Sequence, residues 1–385
     1  MSVVPNVSIL MTGAGGGHLA SAQSLVEAFE GRARVTLVNV LDEHAPFPFN
    51  RLSASYAPVV NIAPQLYRLA YDVIQTPLGG RLMESGTYEY VRADIARSIT
   101  TTRPDLVLSV HALLNAIPLR AIREVGCSAP FVSVVVDAGV PPVSWFTAKA
   151  DLCCVADEGI RRLALDAGMP PEKVVSTGLP IRRSFLDARR LSKEEARLSL
   201  DLDPHTPLVL IAGGGAGLGR VGAVATAIAK HLSQTRTEAQ IAVIAGGNRA
   251  LRRRLERHDW PIPVTVLGLT SHMAELMAAA DVLLTKAGPG TIAEAACLGV
   301  PTLLTGFVPG QEAENVGWAQ RNGGAPFEPV PKRAALLVDA WLQPGNDDLA
   351  RMSERMRSMS RPEAAAAIAD ASLALLEGSR TSRTR

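Results

Sequence analysis

The stretch "LLTKAGPGTIAEA", Leu283–Ala295, decides the fold. An apolar run, "ADVLLT", stops at Lys286-Ala287, passes through Gly288-Pro289-Gly290 and restarts as "TIAEAACLG", which has helical composition. Glycine lets the backbone turn sharply and approach another group closely. The N-terminus of a helix offers unpaired N–H groups and a partial positive charge. Together they suit a phosphate.

Outward from this stretch, short Val/Ile/Leu-rich strands alternate with helical segments along the chain. The first half carries "NVSILMTG", "RVTLVNV", "DLVLSVH", "FVSVVVD" and "ADLCCVAD"; the second carries "LVLIAGG", "QIAVIAGG", "VTVLGL", "DVLLTK" and "PTLLTG". Such alternation predicts an α/β protein with parallel sheets covered by helices on both faces. Each half reads as its own doubly wound, Rossmann-like domain. The segment Val174 to Pro207 carries a Gly-Leu-Pro break, much charge and a helix without a strand, so the boundary is placed near Ile181. The expected division is 1–180, 181–350, and a helical region 351–385, interrupted by Pro362, that crosses back and ends in the basic tail "SRTSRTR". Two such domains facing each other put the carboxyl ends of both sheets around one cleft.

With 385 residues, 47% of them hydrophobic and 20% charged, the chain has enough apolar side chains for a large core and two domains. A formal net charge of +2 argues against a nucleic-acid partner, and the arginines of "NRALRRRLERH" read as a solvated helix face. Cys127, Cys153, Cys154 and Cys297 show neither C-x-x-C nor zinc spacing and fit reduced thiols in the cytoplasm. No targeting segment is read at the start, and no apolar run reaches the roughly 18 to 20 residues of a spanning helix. Work at a membrane would be done from its surface.

Glycine-rich loops follow four strands: "TGAGGGH", "AGGGAGLG", "AGGN" and "KAGPGT". Their recurrence points to a phosphate-bearing ligand, with Gly17 and Gly214 among the residues assigned to it. None is a P-loop, and "GAGGGH" does not have G-x-G-x-x-G order. "DLD", Asp201–Asp203, precedes Pro204 and reads as a turn rather than a metal motif, so no metal ligand is assigned.

The block "GLTSHMAELMAAADVLLTKAGPGTIAEAACLGVPTLLTGFVPGQEAENV" closely resembles monogalactosyldiacylglycerol synthases and related bacterial diacylglycerol glucosyltransferases. These are nucleotide-sugar enzymes of the GT-B fold, relatives of the transferase that adds N-acetylglucosamine to lipid I. The resemblance extends to "GAGGGHLASAQSL", "PQLYRLAYDVIQ", "SVHALLNAIPL" and "GLPIRRSF". One departure is "DAGVPPVSWF", Asp137–Phe146, where such enzymes tend to carry a polar, often His-containing approach to the Trp.

The resemblance implies that Gly288 and Gly290 close on a UDP diphosphate, with the helix opening near Thr291 aimed at the charge, and that Glu294 accepts from the ribose hydroxyls. A second reading stands beside it, because Thr291-Ile292-Ala293-Glu294 is also a T-x-x-E capping box. Gln311 and Glu312 would hold the hexose through paired donor and acceptor contacts, with Asn315 one turn on; the alternative is a polar loop opening a helix. Asn248 would meet the nucleobase or serve as a turn asparagine. His18 would be the base that deprotonates the acceptor hydroxyl, with inversion at the sugar. His111 is either a second candidate or a buried, satisfied histidine, and Asp137 either orients a histidine or belongs to a turn. Lys286 either assists at the diphosphate or is simply solvated.

The expectation is therefore an inverting transfer of galactose or glucose from UDP-galactose or UDP-glucose, without a cofactor, to diacylglycerol or its first glycoside. The partners are the membrane surface, anionic lipids included, at the cytoplasmic face. Ile62 to Met83, with Arg68 and Arg81, has the composition of an interfacial element or of a plain amphipathic helix. The alternatives are another hydrophobic acceptor, polyprenyl-linked or carotenoid, and a nucleotide-sugar-binding protein without turnover.

Overall fold

The computed structural model describes residues 4–13 and 16–383, with backbone alone at 57, 61, 64, 77, 78, 80–83 and 379–383. Ala14 and Gly15 of the first glycine loop, the side chains of Arg81 and Met83, and the side chains of the basic tail lie outside the described residues. The chain divides into two compact units, one of Met1–Arg182 with Arg361–Arg385 and one of Arg183–Ser360.

The first unit holds six parallel strands: β1 (Asn6–Met11), β2 (Arg34–Asn39), β3 (Leu106–Ser109), β4 (Phe131–Val134), β5 (Leu152–Val155) and β6 (Val174–Ser176). They lie in the order β2-β1-β3-β4-β5-β6. Inner strands β3, β4 and β5 are buried at every residue, as a strand covered on both faces must be, whereas edge strand β2 alternates and exposes Arg34 and Thr36. β6 was not expected, because the segment around it reads as strandless. It is only three residues long, Val174-Val175-Ser176, and its two valines are too short a run to stand out, yet it pairs in register with Cys153–Val155. The helix Pro77–Thr100 places Tyr88, Val91, Ile95 and Ile99 at helical spacing into a core with Leu10, Val107 and Phe131.

The second unit is built on β7 (Leu208–Ala212), β8 (Gln240–Ile244), β9 (Val264–Leu267), β10 (Val282–Lys286) and β11 (Thr302–Gly306), all parallel, in the order β11-β10-β7-β8-β9. Helix Val221–Thr235 covers one face, burying Val224, Ile228 and Leu232 with Ile211, Val243, Val338 and Trp341. Asp281, just before β10, accepts from Arg197 Nη2 at 2.6 Å, Lys193 Nζ at 2.6 Å and the Leu208 N–H at 2.7 Å. That three-way clamp fastens the short helix Lys193–Leu198 to this sheet.

"DLD" is a turn: Asp203 Oδ1 accepts the N–H groups of His205 and Thr206, while Asp201 sits at φ +55°. Helix Asp348–Met359 stays with the second unit, and helix Ala364–Arg383 belongs to the first. There it packs beside helix Gly17–Ala28, and Asp370 pairs with Arg32 at 2.6 Å. Gly178 stands where this return needs it. Its φ is +97°, and a Cβ would lie 2.6 Å from Arg361 Cβ and 3.0 Å from Ala364 Cβ.

Candidate functional site

In each unit the chain reverses the direction in which it adds strands at one place: between β1 and β3 in the first, between β7 and β10 in the second. Loops diverge at the carboxyl ends of such a strand pair and leave a crevice, which is where open α/β sheets bind ligands.

At the first unit's switch point the loop after β1 leads through Gly16, the helix N-cap at φ 74°, to Gly17 and His18, while His111 stands two residues after the end of β3. Gly17 opens the helix, and a Cβ there would meet nothing within 4 Å. His18 Nδ1 lies 2.8 Å from the Val110 carbonyl. A carbonyl only accepts, so Nδ1 carries the proton and Nε2 keeps its lone pair. His111 is set the opposite way: its Nδ1 accepts the Leu113 N–H at 3.2 Å, so its proton resides on Nε2. The two half-buried rings meet with centroids 4.4 Å apart at an interplanar angle of 60°.

Burial pushes the His18 imidazole below its ordinary value, while the Asp137 charge and the Val110 carbonyl push it back up. His111 is driven well below its ordinary value by burial and by the neighbouring His18. Both rings are thus neutral near pH 7, and His18 is in the form that takes a proton. Asp137 is buried and accepts the Trp145 Nε1–H at 2.7 Å, so it is more than a turn residue. Tyr71, on helix Pro64–Gln75, also lies within reach of the Asp137 charge, and burial and that charge raise its hydroxyl. The Val110 carbonyl, Trp145 and Tyr71 are contributors the sequence reading missed. The i, i+4 pair Tyr67–Tyr71 within "PQLYRLAYDVIQ" was the available signal, and the rings do meet, at 6.3 Å.

At the second unit's switch point, β10 ends on Lys286, and the helix Pro289–Leu298 opens with Gly288 as N-cap and no side-chain cap. Pro289 has no N–H, and Ile292 already donates to Gly288 O at 3.1 Å, which leaves the first-turn N–H groups of Gly290 and Thr291 for an anion. A Cβ on Gly290 would meet nothing within 4 Å. The capping-box reading of Thr291-x-x-Glu294 fails. Proline is preorganised for the first helical position, so the helix starts two residues earlier and Thr291 is already inside it. Glu294 is 9% exposed on the helix's second turn.

Lys286 Nζ donates to Glu312 Oε1, and Glu312 Oε2 accepts the Val308 N–H at 2.9 Å. Lys286 is therefore not simply solvated: the two side chains are only 16% and 7% exposed. The stem of Lys286 crosses between two glycine turns. A Cβ on Gly288 would lie 2.8 Å from Nζ, and one on Gly214, at φ +69°, 3.3 Å from Cε. Gln311 is half-buried beside Glu312, and Asn315 Nδ2 donates to Ala287 O at 3.0 Å, tying helix Ala313–Gly323 to the turn after β10.

Other glycines expected at the ligand are occupied with one another. A Cβ on Gly217 would lie 2.1 Å from Ala245 O, and one on Gly246 2.6 Å from Gly215 O. The loops after β7 and β8 are pressed together, and their glycines make that contact possible. Asn248 caps helix Arg249–Glu256, its Oδ1 accepting the Leu251 N–H at 2.9 Å, which leaves its amide NH₂ for any base.

Two doubly wound units of this kind, with glycine turns at both switch points, define the GT-B class, and solved structures agree. Acinetobacter baumannii MurG matches with a TM-score of 0.59 at 17% identity, covering 96% of this chain and 99% of its own. Neisseria meningitidis UDP-GlcNAc 2-epimerase bound to UDP-GlcNAc matches with a TM-score of 0.59 at 13% identity, covering 95% and 98%.

The family follows from sequence. Residues 18–181 match the monogalactosyldiacylglycerol (MGDG) synthase model, and residues 208–320 match the glycosyltransferase family 28 C-terminal domain. A probable chloroplastic monogalactosyldiacylglycerol synthase of Nicotiana tabacum is 36% identical over 93% of this chain and 68% of its own length. Arabidopsis thaliana monogalactosyldiacylglycerol synthase 1 is 35% identical over 93% and 68%. The chain belongs to the monogalactosyldiacylglycerol synthase family.

Proposed function

We propose that the chain is an inverting glycosyltransferase that moves galactose or glucose from a UDP-sugar onto diacylglycerol, or onto monoglycosyldiacylglycerol. The observation that carries this reading is His18, a neutral imidazole whose Nδ1–H is held on the Val110 carbonyl and whose Nε2 is left to accept. Nε2 takes the proton of the acceptor hydroxyl as that oxygen bonds to the anomeric carbon, and the bond from that carbon to the diphosphate breaks. UDP departs, its charge received by the N–H groups of Gly290 and Thr291 and by Lys286. Glu294 holds the ribose, Gln311 and Glu312 the hexose, and Asn248 the base through its amide, with Gly17, Gly214 and Gly288 giving backbone room.

A diacylglycerol acceptor places the reaction at a membrane surface. Ile62, Leu66, Leu69 and Val73, on helices Leu52–Ile62 and Pro64–Gln75, are 84%, 64%, 61% and 53% exposed, a face suited to lipid. Among the described residues no helix is long and apolar enough to cross a membrane. The reading is peripheral attachment at the cytoplasmic face, where anionic lipids can assist.

The test is to incubate the pure protein with labelled UDP-galactose or UDP-glucose and diacylglycerol micelles and to identify products by mass spectrometry. Monoglycosyldiacylglycerol with stoichiometric UDP is the expected result. UDP release or donor binding without glycolipid overturns the acceptor assignment and directs the search to polyprenyl or carotenoid acceptors, or to a binding protein without turnover.

A further inference from the structure

The ion pair at the end of β10 occupies the place where a donor's diphosphate and hexose would both be read. We propose that it is an exchange device: the diphosphate takes Lys286 away from Glu312, and the carboxylate so released recognises the hexose. This rests on the UDP-sugar reading of the same site.

In the structure both oxygens of Glu312 are engaged, Oε1 by Lys286 and Oε2 by the Val308 N–H, and the side chain is 7% exposed. A hexose arriving alone would find this carboxylate neutralised and covered. A diphosphate seated on the N–H groups of Gly290 and Thr291 would lie two to three residues past Gly288, whose Cβ position is 2.8 Å from Lys286 Nζ, so it would compete with Glu312 for the lysine. It bears more negative charge than one carboxylate, and the helix N-terminus reinforces its field, so the lysine gains by moving. The move costs the protein a compensated Glu312, whose buried charge is then left with one hydrogen bond. Hydroxyls of a hexose, donating to the vacated Oε1, restore that compensation. UDP alone cannot.

The device therefore couples two recognitions. Part of the affinity for UDP is withheld by Glu312 and returned only when the sugar is attached, so an intact donor outcompetes the spent nucleotide. Glu312→Gln keeps an oxygen for the Val308 N–H but releases Lys286 permanently, and Lys286→Met removes the exchanged cation.

Calorimetry of UDP and UDP-hexose with wild type, E312Q, K286M and the double variant, without acceptor, tests it. E312Q should bind UDP more tightly than wild type, by roughly fivefold, about 1 kcal/mol at 1.4 kcal/mol per tenfold, and should lose preference for UDP-hexose over UDP. K286M should bind UDP less tightly, and adding E312Q to it should bring no gain. UDP affinity unchanged or weakened in E312Q overturns the exchange, as does a gain that persists in the K286M background, which would be plain removal of a negative charge. Melting curves of all four proteins exclude loss of fold. If wild type binds no UDP, both the exchange and the donor reading fall. If it binds UDP without these differences, only the exchange does.

Discussion

A histidine that donates its Nδ1–H to a backbone carbonyl has one ring nitrogen left for chemistry, and the hydrogen bond decides which way it faces. His18 is so held. His18→Ala should lower turnover by about 10² to 10⁴ while leaving UDP affinity nearly intact, since the donor contacts proposed here are carried by other residues. A folded His18→Ala protein that forms glycolipid at near wild-type rate would shift the role to His111 or Asp137.

The two imidazoles also leave a mark on stability. Their folded values lie below the ordinary 6.5, so an unfolded chain binds more protons than the folded one between those values and 6.5. The contribution is present above pH 6.5 and is lost as pH falls toward the folded values. Melting temperature should therefore drop on acidification below about pH 6.5, and less steeply in a His18→Ala/His111→Phe double variant. Parallel acid limbs in the two proteins would show that the imidazoles are not buried as neutral rings. If His18 is the base proposed above, wild-type activity should fall only below pH 6.5, where the neutral imidazole is lost.

At the scale of elements, the glycine turns fall into two kinds that look alike in sequence. Gly217, at φ +60°, would bring a Cβ onto Ala245 O, whereas Gly290, in the first turn of a helix, faces open space. Gly290→Ala should hold or raise stability, by up to about 0.5–1 kcal/mol from helix propensity, and should weaken UDP binding because the methyl group enters the anion's space. Gly217→Ala should cost at least about 1–3 kcal/mol of stability from strain alone. Chemical denaturation beside calorimetry separates the two. Equal stability losses in both variants would mean that the space at Gly290 is not a ligand's.

The same scale shows what was legible in the chain. Ten strands are evident from their Val, Ile and Leu: the inner ones are nearly continuous apolar runs, as parallel strands covered on both faces require, while edge strand β2 alternates. β6 is hard to see because it is only three residues long, two valines and a serine, followed at once by Thr177-Gly178. The T-x-x-E pattern misleads at Thr291, where Pro289 opens the helix first, while Ser192–Glu195 is a true capping box, with both reciprocal bonds formed. Nothing local separates these patterns except the proline. The glycine turn after β10 was readable from its own residues, but the Lys286–Glu312 pair joins positions 26 apart and exists only because β11 lies beside β10. Likewise no sequence pattern reveals that the Val110 carbonyl lies beneath His18.

At the scale of the whole molecule, the formal net charge of +2 leaves little long-range attraction to an anionic bilayer, so under the proposed function burial of apolar side chains would supply most of any attachment. Replacing Ile62, Leu66 and Leu69 together by Ser should release the protein from sedimenting diacylglycerol-containing vesicles and lower glycolipid formation. UDP affinity should stay unchanged, and wild-type attachment should survive moderate salt. Loss of UDP binding in the triple variant would mark these side chains as structural instead.

The helix Ala364–Arg383 has a further consequence, which concerns the order in which the protein is made. It buries Ile368, Ala369, Ser372 and Leu376 in the first unit, so that unit is assembled from two stretches of chain separated by the whole of the second. Domains on a ribosome ordinarily mature in the order in which they emerge. Here the unit that begins first must finish last. Residues 183–360 form a continuous stretch and can close while the first sheet still waits for its last helix. In that interval the surface that will receive Ile368 and Leu376 is bare. A nascent chain stalled near residue 360 should accordingly present a protease-resistant second unit attached to a protease-sensitive first one, and the interval is when a chaperone has something to hold.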